Sequence, residues 1–302
     1  MRKDGDGMEW PARVLIREVG PRDGLQNEPH ILTTAQKIHL IELLVRAGVR
    51  AIEATSFVNP RVVPQLADAE EVVSGARKVL AALEEQGVQG VVLSALVGNR
   101  RGVERALSAG VDEVVMVISA SEEHNLANMG MPIGESLRQL EEASALAAGT
   151  GVLIRGAVAV AFGCPYRGKI GLDRIMQIIE VMVGAGIGEI TLADTAGLAN
   201  PRQVYEMVEQ LSRNYPSVSF ALHFHNTRGL ALPNIITGIQ AGVSIIESSS
   251  GGLGGCPFIP GATGNVATED VVYMLQSMGI ETGIDLKKLK ECISWMEGII
   301  QN

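Results

Sequence analysis

Apolar residues along the chain follow two alternating patterns. In TAQKIHLIELLV (34–45) and LDRIMQIIEVMV (172–183) they recur every three or four positions, which predicts helices with one buried face. A glycine, then Val or Ile, then a mostly apolar run follows, which is typical of a capped helix end and a buried strand. This glycine phrase appears six times, at residues 46–55, 85–94, 108–117, 149–158, 184–193 and 240–249.

Two further apolar runs complete the predicted strands, RVLIREVG (13–20) and SVSFALHFHN (217–226). Eight strands that alternate with helices predict a parallel sheet, and eight is the number that closes a (β/α)8 TIM barrel. The alternative is an open doubly wound sheet, but it would carry a glycine-rich fingerprint after its first strand, where this chain has the charged GPRDGLQNE. We therefore predict a single α/β TIM-barrel domain over residues 13–302 with extra C-terminal helices, preceded by a flexible extension over 1–12.

Composition narrows the classes of function. The 302 residues are 46% hydrophobic and carry a formal net charge of −9, so a nucleic-acid partner is not expected. Three cysteines do not suggest a disulfide framework, and no apolar run is long enough to span a membrane. The first ten residues lack the apolar segment of a signal peptide. We expect a cytoplasmic protein without a membrane partner.

The stretch FALHFHN (220–226) contains two histidines separated by one residue. On a strand, residues two apart share a face, so His223 and His225 would both point to the barrel mouth. Asp23 follows the first strand. In a closed barrel the eighth strand lies beside the first, so the seventh strand, which carries the histidines, is only two places from Asp23. Two imidazoles and a carboxylate suit a divalent ion with open coordination positions. Alternatively, the histidines cap the core through ordinary hydrogen bonds.

Other polar residues follow strands at the same end of the barrel. Arg22 could supply a fixed positive charge for a developing oxyanion, or form a structural ion pair with Glu53. Asp194 ends the strand EITLAD and could relay protons or cap the next helix. His124, in the loop after the fourth strand, could be an extra base or a substrate contact.

Five segments together resemble the 3-hydroxy-3-methylglutaryl-CoA lyases, a family of barrel metallolyases. They are EVGPRDGLQNE, IEATSFV, GCPYRGKI, HFHNTRG and GGLGGCPFIPGATGNVATED, and the resemblance runs from about Arg13 to the last helix. The glycine-rich block is its most specific part. The resemblance implies a divalent metal ion, Mg²⁺ or Mn²⁺, held by Asp23, His223, His225 and Asn265.

The resemblance also implies roles for residues around the metal. Arg22 would bind the substrate and stabilise an enolate, and Cys256 would be the catalytic thiol of a glycine-rich loop over the mouth. His223 or Asp194 would be the general base, Glu53 a supporting acid, and Ser56 a substrate contact. The implied partners are an acyl-CoA thioester substrate and further copies of the chain, in a homodimer or larger homo-oligomer.

The implied reaction is cleavage of 3-hydroxy-3-methylglutaryl-CoA to acetoacetate and acetyl-CoA. Three positions depart from the pattern common in the family, namely Arg167, Ala193 and Asn226. A lyase for a longer or branched 3-hydroxyacyl-CoA is therefore an alternative. An acetyl-CoA-condensing synthase of the isopropylmalate or homocitrate type is less expected, because those usually carry a C-terminal regulatory domain. A binding protein that kept the barrel without catalysis is the least expected.

Overall fold

The computed structural model describes residues 2–3, 9–255 and 264–300. Eight parallel strands pair side by side and close into a barrel, in which the last strand lies between the first and the seventh. The strands are β1 Leu15–Glu18, β2 Ala51–Ser56, β3 Val92–Leu96, β4 Glu113–Ser119, β5 Leu153–Ala159, β6 Glu189–Asp194, β7 Ser219–Phe224 and β8 Ile245–Ser248. The predicted TIM barrel is confirmed, and the open-sheet alternative is wrong because β8 pairs with β1 along its whole length.

Helices alternate with these strands in the part of the chain that the structure describes. They are α1 Thr34–Arg46, α2 Ala69–Glu84, α3 Arg100–Ala109, α4 Glu122–Met129, α5 Ile133–Ala147, α6 Leu172–Gly184, α7 Pro201–Asn214, α8 Ala231–Gln240, α9 Thr268–Ser277 and α10 Leu286–Ile300. Two of them, α9 and α10, follow β8, so the predicted extra C-terminal helices are confirmed.

The end of α1 shows why the glycine phrase marks each helix-to-strand junction. Gly48 has a φ of 105°, a left-handed conformation that side chains disfavour, and its N–H donates to Val45 O at 3.0 Å. The N–H of Val49 then donates to Leu44 O at 3.1 Å. These two bonds form the Schellman motif, which ends the helix and turns the chain toward β2.

The barrel has an apolar outer layer and a charged interior. Residues such as Leu44 of α1 and Ile52 of β2 are fully buried between the strands and the helices. Inside the barrel lies what we call the interior charge cluster: Arg17, Glu53, Glu113, Arg155, Glu189 and Glu247. Side-chain nitrogen-to-oxygen distances of 2.8 to 3.8 Å join the two arginines to the four glutamates. The sequence analysis did not anticipate this cluster, since barrel interiors are usually filled by branched apolar side chains.

The chain before the barrel contains two short strands. Arg2–Lys3 pairs antiparallel with Glu9–Trp10. The division into a flexible extension over 1–12 and a barrel domain over 13–302 stays a prediction. Each helix in the described ranges is too short or too polar to cross a lipid bilayer.

Candidate active site

The predicted site residues gather at the mouth formed by the C-terminal ends of the strands. The chain leaves β1 at Glu18 and forms a π-helical turn over Gly20–Gly24. The backbone N–H of Asp23 donates to Val19 O at 2.7 Å, and that of Gly24 donates to the same oxygen at 3.3 Å. The predicted first strand extended to Gly20, but this turn replaces its end and buries Arg22 and Asp23 at the mouth.

Asp23, His223 and His225 form a group that could hold a metal ion. One side-chain ligand atom from each lies within 4.8 Å of the others. His223 is on β7, and His225 follows the end of that strand, so the spacing of two residues places both on one side. The structure thus brings together the three residues that the sequence analysis combined.

Asn265 enters the same group from the other side of the glycine-rich loop. It pairs with His225 in an isolated antiparallel bridge, and its Nδ2 donates to Asp23 Oδ2 at 2.7 Å and to Leu253 O at 2.9 Å. Its Oδ1 is buried and has no hydrogen-bond partner among the described residues. An amide oxygen, a carboxylate and two imidazoles are a donor set that Mg²⁺ or Mn²⁺ accepts, so these residues fit such an ion.

Arg22 is fixed between two carboxylates. Its Nε donates to Glu53 Oε1, and one terminal nitrogen lies 2.5 Å from Asp23 Oδ1. Burial would lower the pKa of Arg22, but Glu53 and Asp23 outweigh that effect and raise it. The ion pair with Glu53, which was the alternative interpretation of Arg22, is therefore present, and Arg22 stays charged. Its role toward substrate stays a prediction. A register shift in β2 between Glu53 and Thr55 lies directly beside this contact.

The Asp23 carboxylate is ionised in this environment. Burial alone would raise its pKa, but the adjacent Arg22 and the two histidines lower it to about 2. Gln26 Nε2 also donates to Asp23 Oδ1 at 2.9 Å. Asp23 is thus an oriented, negatively charged oxygen donor at neutral pH.

Asp194 lies at the end of β6 and accepts two backbone hydrogen bonds. The N–H groups of Leu198 and Ala199 donate to it at 2.8 and 3.0 Å. Burial raises the pKa of Asp194 to about 6, although these N–H groups oppose the rise. Asp194 is not the N-cap of the next helix, which was the alternative role, because Asn200 is the N-cap of α7. A carboxyl group that titrates near neutral pH suits proton transfer.

Three further residues have different outcomes. Ser56 is the buried last residue of β2. His124 is buried in α4, where its Nδ1 lies 2.8 Å from Ser119 Oγ and burial lowers its pKa. Its role as an extra base or a substrate contact stays a prediction. Cys256 lies outside the described residues.

Glycines that flank residues 256–263 allow very close backbone contacts. Gly254 has a φ of 104°, and a Cβ there would lie 2.6 Å from Asn265 Nδ2. A Cβ on Gly264 would lie 2.0 Å from Gly254 O. The glycine-rich composition is therefore required where the chain passes beside Asp23 and Asn265.

Sequence reasoning missed two buried acids that support the site. Glu18, at the end of β1, accepts hydrogen bonds from the N–H of Gly20 and the N–H of Ser250, at 2.8 and 2.9 Å. It also accepts from the hydroxyls of Ser250 and Thr268, both at 2.7 Å. It thus ties the turn that carries Asp23 to the loop after β8 and to the start of α9.

Glu247 of β8 is the second missed acid, and its Oε2 lies 3.3 Å from His223 Nδ1. Its pKa is lowered: burial opposes the charged form, but the hydrogen bond to His223 and the charges of Arg155 and Arg17 outweigh burial. The signal available in the sequence is an acid inside each apolar strand, at Glu18 in VLIREV and at Glu247 in VSIIES.

Known proteins resemble this chain over nearly its whole length. A family model described as HMGL-like matches residues 13–295. A hydroxymethylglutaryl-CoA lyase from Bacillus subtilis is 43% identical over 290 residues, which cover 96% of this chain and 94% of that protein. The crystal structure of the B. subtilis HMG-CoA lyase matches with a TM-score of 0.91 at 42% identity, covering 98% of this chain and 96% of that one. An HMG-CoA lyase from Acinetobacter baumannii, solved in complex with coenzyme A and 3-methylmalate, matches with a TM-score of 0.88 at 39% identity, covering 96% and 92%.

Proposed function

The chain belongs to the HMGL-like family, and from that premise we propose that it cleaves 3-hydroxy-3-methylglutaryl-CoA to acetoacetate and acetyl-CoA. The observation that carries the proposal is the group of Asp23, His223 and His225 beside the buried, charged Arg22. The match to lyases at 42–43% identity over more than nine-tenths of the chain supports the same reaction.

We propose that Asp23, His223, His225 and Asn265 hold a divalent metal ion, Mg²⁺ or Mn²⁺. When bound, the ion would make the substrate hydroxyl proton easier to lose. The buried Asn265 Oδ1 without a hydrogen-bond partner among the described residues supports its assignment as a fourth donor.

The residues can then carry out a retro-Claisen cleavage. His223 or Asp194 takes the proton of the C3 hydroxyl, and the electron pair of that O–H bond forms the ketone of acetoacetate. The C2–C3 bond breaks, and its electron pair stays on C2 as the enolate of acetyl-CoA. Arg22 stabilises the enolate oxygen, and Cys256 delivers the proton to C2. Glu53 orients Arg22, and Ser56 contacts the substrate.

The identity of the acyl group is open to a direct test. Arg167, Ala193 and Asn226 depart from the family pattern, so a longer or branched 3-hydroxyacyl-CoA is the second candidate. Assembly into a homodimer or larger homo-oligomer and a cytoplasmic location stay predictions from the sequence.

An assay of product release tests the proposed function. The purified protein is stripped of metal, supplied with Mg²⁺ or Mn²⁺, and given a panel of 3-hydroxyacyl-CoA thioesters while acetoacetate and acetyl-CoA are measured. We expect metal-dependent acetoacetate release from 3-hydroxy-3-methylglutaryl-CoA. Cleavage of another thioester alone would keep the reaction class and replace the substrate.

Variants of the metal group test the site. We expect Asp23→Ala and His223→Ala to lose metal-dependent cleavage, because each removes a ligand. If both retain it, the assignment of the metal group is wrong, whatever the substrate.

A further inference from the structure

We propose that Glu247 is a positioning residue that fixes the tautomer of His223. Its carboxylate accepts the Nδ1–H of His223 and thereby leaves Nε2 unprotonated toward the metal group. This inference rests on the metal site of the proposed function. It adds a residue outside that site, Glu247, which determines which nitrogen of His223 is free to bind the metal.

Strand pairing places the two side chains together. Glu247 on β8 is the direct parallel partner of His223 on β7, so both side chains lie on the inner face of the barrel. Glu247 Oε2 is 3.3 Å from His223 Nδ1, and the two residues are 6% and 7% exposed. The contact occupies Nδ1, which leaves Nε2 as the nitrogen available to a metal ion. A His223 held in this way has no nitrogen left to take the substrate proton, so the proposal assigns the base to Asp194.

The charges around Glu247 determine the direction of this hydrogen bond. Arg155 and Arg17 each bring a terminal nitrogen to Glu247 Oε1, at 3.2 and 3.5 Å, and favour the ionised carboxylate. An ionised carboxylate can only accept, so the imidazole must donate. A neutral imidazole has one N–H, and placing it on Nδ1 leaves the lone pair of Nε2 free for a metal.

Glu247 is itself held in place. The hydroxyl of Thr191 donates to Glu247 Oε1 at 2.9 Å, and Arg155 donates to the same oxygen. With that oxygen fixed, the other points to His223. Outer partners that orient a metal-binding histidine in this way typically change metal affinity about 10- to 100-fold when removed.

Mn²⁺ binding and the tautomer of His223 are the two measurements. In metal-free protein titrated with Mn²⁺ and followed by electron paramagnetic resonance, we expect Glu247→Gln to raise the Mn²⁺ Kd by about tenfold or more. In ¹⁵N-histidine spectra of the metal-free wild type, recorded at increasing pH until the His223 ring is neutral, we expect His223 to carry its proton on Nδ1.

Glu189→Gln is the matched control. Glu189 Oε1 lies 2.8 Å from Arg17 and 3.5 Å from Arg155, so this change removes one carboxylate from the same interior charge cluster. Glu189 is at the first residue of β6, at the end of the barrel opposite the mouth. We expect its Mn²⁺ Kd to stay within about twofold of the wild type, because the His223 contact is intact.

Three outcomes would overturn the proposal. They are an unchanged Mn²⁺ Kd in Glu247→Gln, an equal loss of affinity in both variants, and a wild-type His223 that carries its proton on Nε2. If Glu247→Gln does not fold, the wild-type ¹⁵N spectra decide: a proton on Nδ1 of neutral His223 supports the proposal, and a proton on Nε2 overturns it. A wild type that binds no Mn²⁺ refutes the metal site, while the metal-free spectra still decide the role of Glu247.

Discussion

Replacing Asp194 with asparagine should stabilise the protein relative to the wild type, and this gain should be larger at neutral pH than at acidic pH. Burial raises the pKa of this carboxyl group from 3.8 to about 6. Below about pH 3 the group is protonated in both the folded and the unfolded chain and contributes nothing. Between about pH 4 and pH 6 the unfolded chain ionises first, so the folded state loses stability as the pH rises.

The size of the effect follows from the two pKa values. A rise in pKa from 3.8 to about 6 destabilises the folded wild type by about 3 kcal/mol, and this loss is complete above about pH 7. In Asp194→Asn the ionisation is absent. The altered hydrogen bonds to Leu198 and Ala199 add an offset that does not depend on pH.

Urea unfolding of metal-free wild type and Asp194→Asn, at several pH values between about 3 and 7, measures this effect. We expect the free energy of unfolding of the variant minus that of the wild type to increase by about 3 kcal/mol over this range. Taking the difference removes the contributions of titrating groups that do not interact with Asp194, whereas the interaction with His223 remains in it. A difference that stays constant with pH would refute the raised pKa, and with it the physical reason for giving Asp194 a role in proton transfer.

Three further predictions concern the loops at the mouth. Gly254→Ala should weaken Mn²⁺ binding and cleavage, because the new Cβ would displace Asn265. Gly255→Ala is the control, since a Cβ there meets nothing within 4 Å, and equal effects of the two variants would contradict the prediction. Glu18→Gln should lower the urea-measured free energy of unfolding by about 2 kcal/mol, because an amide cannot accept all four hydrogen bonds. An unchanged free energy of unfolding would show that these hydrogen bonds to Glu18 do not stabilise the fold. Cys256→Ala should reduce kcat far more than Mn²⁺ affinity, and equal losses would make its loop structural.

The fold could be predicted from the sequence because local signals repeat. A left-handed glycine such as Gly48 ends a helix wherever it follows an apolar helical stretch, and a buried strand follows. Six such junctions and two further strands leave few arrangements other than a closed parallel barrel. The pairing of β8 with β1 confirms the barrel.

The candidate site could be predicted only in part. His223, His225 and Asp23 could be combined, because strand order alone places them at one mouth. The contact between Asn265 and Asp23 joins residues far apart in the chain, and spacing within the sequence carries no information about it. The resemblance, and not the pattern, pointed to Asn265.

The buried acids could not be predicted for another reason. A glutamate within a strand is usually exposed. The residues next to Glu18 and Glu247 in the sequence do not indicate which distant side chains would form hydrogen bonds or ion pairs with these carboxylates. Only the closed barrel brings the arginines and hydroxyls that satisfy these carboxylates.

The interior charge cluster also bears on how the strands align during folding. Every strand supplies a member or a direct partner of the cluster, including Ser94 of β3 and His223 of β7. Because side chains alternate along a strand, a shift of one residue would turn a strand's charge out into the apolar layer beneath the helices. An unpaired buried charge is strongly destabilising, so mispaired barrels are penalised more heavily than they would be with an apolar interior. The cluster therefore favours the native alignment of the eight strands, in which its arginines and glutamates lie together inside the barrel.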